Sequence, residues 1–329
     1  MPTNILITGV AGMIGSHLLD ALVSDLNNDI IGIDDLSFGK IDNISQNIGK
    51  ANFKFYRVSV LDFETLKILG KDINTIVHLA AVKKIAEINP SHPTLNVNAR
   101  GTENVLEIAK MWGAKVILAS TSDVYGMSGD IPFKEDGDLL LGPSMVRRWS
   151  YAVSKLYCEQ LTYSFYFDYK VPVVILRYFG GFSPRSSFTW VGGHIPIFVH
   201  HILGDQEITI HGDGKQTRSM AYIDDIVNGT IRAMKTEKAI GEIINIGNDE
   251  EMSVIDSAYC IHRLADTRKE LKIKYIPMSE VFGKYKDIMR RKPDLTKAKV
   301  LLGYMPKCNM NDAILKCIKV IRDGESGAN

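Results

Sequence analysis

A tyrosine and a lysine in the stretch from Trp149 to Lys155 are the side chains whose types and spacing best suggest chemistry. On a helix, Tyr151 and Lys155 lie one above the other on the same face. The ammonium then favours a phenolate, because a nearby opposite charge stabilises the charged form. A free phenol has a pKa near ~10, so a base working near neutrality needs a shift of roughly three units, or about 4 kcal/mol. That exceeds what one lysine is expected to supply. A tyrosine and a lysine at this spacing also occur by chance in helices. The pair therefore predicts a catalytic base only if a second cation, such as an oxidised nicotinamide, lies beside it.

A glycine-rich turn near the N-terminus predicts the dinucleotide site that this base requires. A β-branched strand, Asn4 to Thr8, is followed by Gly9, Gly12 and Gly15 and then by a helical pattern. Strand, glycine turn and helix in this order form the context of a dinucleotide fingerprint. The first glycine permits the turn, the second lets the backbone approach a pyrophosphate, and the third allows the helix to pack on the strand.

Acidic residues follow the next two predicted strands. Asp34 follows a strand over Asp29 to Ile33 and is suited to the ribose hydroxyls, which favours NAD over NADP; alternatively it is a solvated turn acid. Asp62 follows a strand over Lys54 to Val60, and either reaches the adenine or caps the next helix.

Hydroxyl groups follow a fifth predicted strand. A fourth strand runs from Ile76 into small residues, with His78 interpreted as a packed histidine, and a long helix spans Pro93 to Trp112. The fifth strand, Lys115 to Ala119, leads into Ser120, Thr121, Ser122 and Asp123. The carboxyl ends of strands are where open α/β sheets bind ligands, so these residues either contact a reacting oxygen or are polar turn residues.

The alternation of strands and helices predicts a Rossmann-like, doubly wound parallel sheet with a smaller mixed α/β C-terminal substrate domain. A sixth strand spans Val171 to Tyr178, and glycine and proline become frequent from Gly180 onward. A helical pattern over Ala221 to Ala233 and a strand over Glu242 to Ile246 follow. We therefore assign 1–178 plus about 221–247 to a dinucleotide-binding domain, and 179–220 with 248–329 to a substrate domain.

Composition excludes several other classes. The 329 residues are 45% hydrophobic and 23% charged, as in ordinary soluble globular proteins, and the net charge of +1 gives no reason to expect a nucleic-acid partner. No run approaches the ~18 apolar residues of a membrane span, so we expect a cytoplasmic protein without a membrane partner. The four cysteines have no metal-like or disulfide spacing, and no metal site is predicted.

With these residues assembled, the sequence resembles the extended short-chain dehydrogenase/reductase family, and within it the NAD-dependent nucleotide-sugar epimerases, dehydratases and decarboxylases. The resemblance covers nearly the whole chain, including STSDVYG from Ser120, LRYF from Leu176, IHGDGKQTR from Ile210 and RRKPDLTKAKVLLGY from Arg290. It implies that Tyr151 takes a hydroxyl proton while hydride passes from the sugar, usually from C4, to NAD. It also implies that Lys155 lowers the pKa of Tyr151, and that Thr121 binds the sugar oxygen.

The resemblance further implies three sets of site residues. Catalysis would involve Tyr151, Lys155, Thr121, Ser122 and Asp123. NAD would contact Gly9, Gly12, Met13, Ile14, Gly15, Asp34, Leu61, Asp62, Leu79, Ala80, Ala81, Asn98, Tyr151, Lys155 and Tyr178. The nucleotide sugar, most plausibly a UDP-sugar, would contact Lys83, Thr121, Arg148, Gly180, Arg185, Arg218 and Arg290.

The residues after Thr121 bear on the fate of the 4-keto sugar. The 4,6-dehydratases carry Asp then Glu there, whereas this chain has Ser122 and Asp123, so dehydration is disfavoured. UDP-glucuronate decarboxylases carry Thr-Ser-Glu, one methylene longer. A 4-epimerase needs only the hydroxyl and small neighbours, so we rank a 4-epimerase of a UDP-hexuronic acid or UDP-hexose first and a UDP-glucuronate decarboxylase second. An NAD-binding sensor without turnover is the alternative from another class, and the complete Tyr/Lys/Thr set argues against it.

Arginines and departures from the family pattern concern the sugar pocket. Arg147-Arg148 and Arg185 resemble segments of uronate-handling members, and arginine suits bidentate carboxylate recognition; alternatively they are surface or phosphate-contacting residues. Gly180 replaces the usual asparagine, and Ser219-Met220 replaces the usual Asp-Phe. The insertion 188–193 either reshapes the pocket, with Trp190 stacking on a ligand, or only packs.

A homodimer is also implied. The helices over Pro93 to Trp112 and Tyr151 to Tyr169 resemble those that pair into a four-helix interface in relatives. Aromatic residues on the second helix suit an interface or a core equally; they are Tyr157, Tyr163, Phe165, Tyr166 and Phe167.

Overall fold

The computed structural model describes residues 3–83, 91–187, 193–282 and 288–326. The strands are β1 (Thr3–Thr8), β2 (Asn28–Ile33), β3 (Phe53–Tyr56), β4 (Thr75–His78), β5 (Lys115–Thr121), β6 (Val173–Tyr178), β7 (Gly181–Phe182), β8 (Ile208–His211), β9 (Thr217–Ser219), β10 (Ala221–Tyr222), β11 (Glu242–Ile246), β12 (Glu251–Ser253) and β13 (Ile273–Ile276). The helices are α1 (Met13–Val23), α2 (Phe63–Leu69), α3 (Ser91–Trp112), α4 (Ser150–Tyr169), α5 (His194–Leu203), α6 (Ile223–Lys235), α7 (Val254–Ala265), α8 (Met278–Phe282), α9 (Thr296–Leu302) and α10 (Met310–Ser326).

A seven-stranded parallel sheet organises the molecule. Its order is β11-β6-β5-β4-β1-β2-β3, so the chain winds outward in both directions from β1 and β4. Such a reversal of strand order opens a crevice at the carboxyl ends of the strands. The predicted Rossmann-like fold class is therefore confirmed.

The strands are buried on both faces, as parallel strands in α/β folds are. Because side chains alternate along a strand, Ile5 and Ile7 of β1 join the core formed with α1 and α6. Leu6, between them, joins the opposite core, which contains α2, α3 and Phe165 of α4. None of the helices in the described ranges is long and apolar enough to cross a membrane.

The remaining strands form three two-stranded pairs, β7 with β10, β8 with β13 and β9 with β12. The predicted strand Glu242 to Ile246 is β11 and extends the main sheet. The division into two domains stays a prediction.

Three predicted strands are shorter in the structure, among them β6, which begins at Val173 rather than Val171. β3 ends at Tyr56 rather than Val60, because its neighbour β2 ends at Ile33. The residues after β3 then cross the end of β2, where Val58 N donates to Asp34 O. β4 ends at His78, before the small residues that follow. Most of the insertion at 188–193, including Trp190, lies outside the described residues.

A buried ion pair joins β6 to α4. Arg177 and Glu159 form a bidentate pair, with N···O distances of 3.0 and 2.8 Å, and their side chains are 3% and 2% exposed. Ser120 Oγ donates to the same carboxylate at 2.5 Å, and Arg177 Nη1 donates to Glu135 O at 3.1 Å. The pair therefore also fixes the carboxyl end of β5.

An aromatic stack extends this network toward the C-terminal part. Arg177 lies over the ring of Tyr125, which stacks on Phe133 with ring centroids 4.7 Å apart. Phe133 N donates to Lys292 O at 2.8 Å, and Asp294 N donates back to Phe133 O at 2.9 Å. The segments after β5 and around residue 292 are therefore tied to one buried network.

Glu159→Gln is expected to lower the free energy of unfolding by about 3 kcal/mol, because it leaves the Arg177 guanidinium buried beside a neutral amide. Urea unfolding measures the change. Lys272→Gln, which breaks an exposed pair with Asp205, is the matched control and should leave stability nearly unchanged. Equal losses in the two variants would contradict this account of the pair.

Candidate active site

A cavity of about 410 Å³ lies at the carboxyl ends of the strands, where the sheet order reverses. It reaches from the glycine turn after β1 to the ends of β5 and β6, and Thr121, Tyr151 and Lys155 line it. A smaller cavity of about 110 Å³ shares Gly9 and Gly12 with it and continues toward the end of β2. The site therefore has a long, two-part shape suited to an extended ligand.

The glycine turn fits a dinucleotide. Gly9 has φ +72°, and a Cβ there would lie 2.7 Å from Ala80 N, so only glycine is accommodated. Gly12 precedes α1 and has no side-chain cap, and the first turn of α1 carries no acidic residue. The amides of that turn, together with the helix dipole, can therefore receive an anion such as a pyrophosphate. Gly15 lets α1 pack on the turn, because a Cβ there would lie 2.8 Å from Val10 Cα.

Asp34 lies in the smaller cavity. Its Oδ2 accepts from Ala11 N at 3.0 Å and its Oδ1 accepts from Leu36 N at 2.9 Å, so the carboxylate is rigidly held. Burial raises the pKa of Asp34, and the two backbone hydrogen bonds oppose this shift. In this orientation the Asp34 carboxylate lies beside Gly39, and a Cβ on Gly39 would come within 2.7 Å of the carboxylate. A fixed carboxylate at the end of β2 is suited to hydroxyl groups.

Two other predicted cofactor contacts, Asp62 and Asn98, have structural roles. Asp62 caps α2, with Thr65 N donating to its Oδ1 at 3.1 Å, and neither Asp62 nor Leu61 is among the described residues that line the two cavities. Asn98 is buried and bonds both backbone groups of Val82 as well as Ser154 Oγ. It therefore clamps the loop after β4 to α4 rather than lining either cavity.

The other predicted cofactor residues line the cavities. Met13, Ile14, Leu79, Ala81 and Tyr178 line the larger cavity, and Ala80 lines the smaller one. His78 is buried and bonds the hydroxyls of Thr8 and Thr102, as expected of a packed histidine; burial lowers its pKa to about 3.

Tyr151 and Lys155 are both buried at the larger cavity. Burial, and then the charge of Asp123, raise the pKa of Tyr151, while a hydrogen bond with Thr121 and the charge of Arg148 lower it. Lys155 Nζ donates to Ala119 O at 2.7 Å and so holds the end of β5. The lowering of the Tyr151 pKa by Lys155 stays a prediction.

Asp123 is the centre of a charged cluster beside Tyr151. Its Oδ1 accepts from Arg291 Nη1 at 2.5 Å and from Arg148 Nη2 at 3.0 Å. Lys83 completes the cluster, with Nζ 6.0 Å from the Tyr151 ring centroid. Burial acts to raise the pKa of Asp123, but Arg291, Arg148 and Lys83 together hold that pKa well below its usual range. Three cations thus surround one carboxylate, which leaves this end of the cavity positive.

Arg291 was missed from sequence, where Arg290 was chosen instead. Arg290 binds Glu251 through two hydrogen bonds of 2.9 and 2.6 Å and is not among the described residues that line the cavity. Arg291 lines the cavity, and its buried Nε has no hydrogen-bond partner among the described residues. Which of the two adjacent arginines faces the cavity depends on the face of the extended segment that each occupies. The run of basic residues in the sequence does not indicate that face.

The remaining predicted substrate residues lie around the larger cavity. Arg185 lines it and forms a 2.7 Å salt bridge with Asp20, and Arg218 donates to the carbonyls of Thr217 and Ile288 at 2.8 Å. A side chain at Gly180 would meet Met220, since a Cβ there would be 2.5 Å from its Sδ. Ser122 also lines the cavity.

Comparisons with known proteins show what the chain is similar to. A family model described as GDP-mannose 4,6 dehydratase matches residues 6–317. UDP-N-acetyl-alpha-D-glucosaminuronate decarboxylase of Bacillus cytotoxicus is 36% identical over 328 residues, covering 99% of this chain and 100% of that protein. UDP-glucuronic acid decarboxylase 1 of Xenopus tropicalis is 33% identical, covering 97% and 72%. The structure of UDP-glucuronic acid 4-epimerase from Bacillus cereus, in complex with UDP-glucuronic acid and NAD, is similar with a TM-score of 0.86 and 31% identity, covering 98% and 99%.

Asp123→Asn is expected to lower the free energy of unfolding at low salt by about 3 kcal/mol, because three cations lose their buried counter-charge. Malonate, a small dicarboxylate, should raise the thermal midpoint of the variant more than that of the wild type. Sodium chloride at the same ionic strength should not reproduce this difference. An identical response of both proteins to malonate would contradict the positive character of this end of the cavity.

Proposed function

The chain belongs to the NAD-dependent extended short-chain dehydrogenase/reductase enzymes of nucleotide-sugar metabolism, and from that premise we propose that it decarboxylates a UDP-hexuronic acid. The observation that carries the proposal is the convergence of Lys83, Arg148 and Arg291 on Asp123 beside Tyr151. A uronic acid brings one more carboxylate to this end of the cavity, and its charge would be balanced there. A neutral hexose would leave the excess positive charge uncompensated.

NAD is the cofactor that the site fits. The glycine turn and the first turn of α1 would hold the pyrophosphate, and Asp34 would receive the adenosine ribose. When bound, NAD supplies the hydride acceptor for oxidation of the sugar at C4 and returns that hydride at the end of the cycle. The cofactor is therefore regenerated in each turnover.

The residues at the ends of β5 and α4 supply the proton chemistry. Tyr151 would take the C4 hydroxyl proton, with Thr121 holding the sugar oxygen. The resulting ketone is β to the C6 carboxylate, so the C5–C6 bond can break with its electron pair delocalised onto the C4 oxygen. The Tyr151 hydroxyl and Thr121 are placed to stabilise that enolate until C5 gains the proton that replaces carbon dioxide.

The charged surroundings of Asp123 support a decarboxylase over an epimerase. Its carboxylate stays ionised and holds Arg148 and Arg291. Its negative charge offsets part of the attraction of these cations for the substrate carboxylate, so that carboxylate is held less firmly than by the three cations alone and loses less on becoming neutral carbon dioxide. A 4-epimerase needs no such acid. Two uronate decarboxylases among the relatives, with 33–36% identity over most of this chain, also favour a decarboxylase over a 4-epimerase.

A UDP-hexuronic acid 4-epimerase, ranked first from sequence, is now the second candidate. Its specific support is the similarity to the Bacillus cereus UDP-glucuronic acid 4-epimerase. Tyr151, Lys155 and Thr121 would suffice for it. The 4,6-dehydratase stays disfavoured, because Ser122 and Asp123 stand where that chemistry uses an acid pair.

Purified protein incubated with UDP-glucuronate or UDP-N-acetylglucosaminuronate should yield a product lighter by one carbon dioxide, detected by mass spectrometry and proton NMR. UDP-glucose should not be converted. Tyr151→Phe should reduce turnover at least about a hundredfold while keeping bound NAD, since it removes only the base. A product of unchanged mass would replace the decarboxylase with the 4-epimerase.

We also propose a homodimer formed through α3 and α4. The two helices pack on each other and expose apolar side chains that include Leu95, Trp112, Tyr157 and Phe167, while Phe165 is buried in the core. Light scattering at micromolar concentration should give twice the mass of the chain. Tyr157→Lys with Phe167→Lys should shift it to the monomer, and a monomeric wild type would contradict the proposal.

A further inference from the structure

The segment that carries Arg291, residues 288–294, is held in an extended conformation between two other parts of the chain. On one side, Thr217 N donates to Met289 O at 2.9 Å and Ser219 N donates to Arg291 O at 3.1 Å. On the other side, Phe133 N donates to Lys292 O. The two-residue spacing of these bonds is that of a strand, in which successive side chains point to opposite faces.

Glu251 holds the outer face of this segment. Its carboxylate receives the two hydrogen bonds from Arg290 and lies 3.9 Å from Lys292 Nζ. It also accepts from Thr217 Oγ1 at 2.9 Å, so it joins the segment to β9. One side chain on β12 thus fixes both neighbours of Arg291.

Among the described residues, few other contacts orient the Arg291 side chain. It points to the inner face, where Asp123 is its salt-bridge partner and its Nε makes no hydrogen bond within the described ranges. A substrate carboxylate that competes with Asp123 would loosen that pair. The direction of the guanidinium then depends on the backbone of 290–292, which Glu251 holds.

We propose that Glu251 is a positioning residue that keeps Arg291 directed at the substrate carboxylate. This inference rests on the proposed function, because Arg291 acts there on the uronate. Glu251 itself meets no substrate. It acts through Arg290 and Lys292 on the far side of the segment, and a displacement of about 1 Å at a reacting group can cost up to about a hundredfold in rate.

The test compares wild type, Glu251→Gln, Arg291→Gln and the double variant, all loaded with NAD. Glu251→Gln should lower kcat/KM for the UDP-hexuronic acid about tenfold or more. The double variant should be no slower than Arg291→Gln, because Glu251 acts through Arg291. Losses that multiply in the double variant, or a Glu251→Gln variant with unchanged kcat/KM, would overturn the proposal. Lys272→Gln, far from the segment, is the matched control.

Hydrogen exchange separates this proposal from the proposed function. The amides of Thr217, Ser219 and Phe133 donate to the segment, so Glu251→Gln should speed their exchange. If wild type converts no UDP-hexuronic acid, the proposed function fails while the exchange rates still decide on Glu251. Unchanged exchange at all three amides would overturn the positioning role.

Discussion

The buried pair of Arg177 and Glu159 is the interaction on which the geometry of the site depends. It joins β6 to α4, which carries Tyr151 and Lys155. It also holds Ser120, the residue before Thr121, through a hydrogen bond from Ser120 Oγ to Glu159. Both charges are removed from water, so each requires the other and its further hydrogen bonds. Tyr151, Thr121 and the frame of the sheet are consequently held as one unit.

The electrostatics of the cavity depend on three cations and one carboxylate. Lys83, Arg148 and Arg291 are partly or fully removed from water, and such a cluster would be strongly unfavourable without Asp123. The carboxylate therefore stabilises the fold around the site, and it also sets how strongly an incoming anion can bind. A substitution of Asp123 would therefore change the stability of the fold and the binding of an anion together.

The sequence predicted the features that local patterns determine. The strand, glycine turn and α1 follow from residue type and spacing, and the end of β5 places hydroxyl groups where an open sheet binds ligands. The selection of Arg291 over Arg290 depended on the extended conformation of 288–294, which is imposed by β9 and Phe133 from distant parts of the chain. Asp62 caps α2, which is one of the two roles that the sequence left open for it. Lys155 Nζ donates to Ala119 O, and a contact between such distant parts of the chain depends on tertiary distances and not on spacing.

The close approach of Met220 to Gly180 links these two positions of the pocket. A Cβ at 180 would lie 2.5 Å from the thioether sulfur, and because that sulfur belongs to a flexible side chain, it would have to rotate away. A side chain at 180 would therefore change the shape of the pocket through Met220 as well as through its own volume.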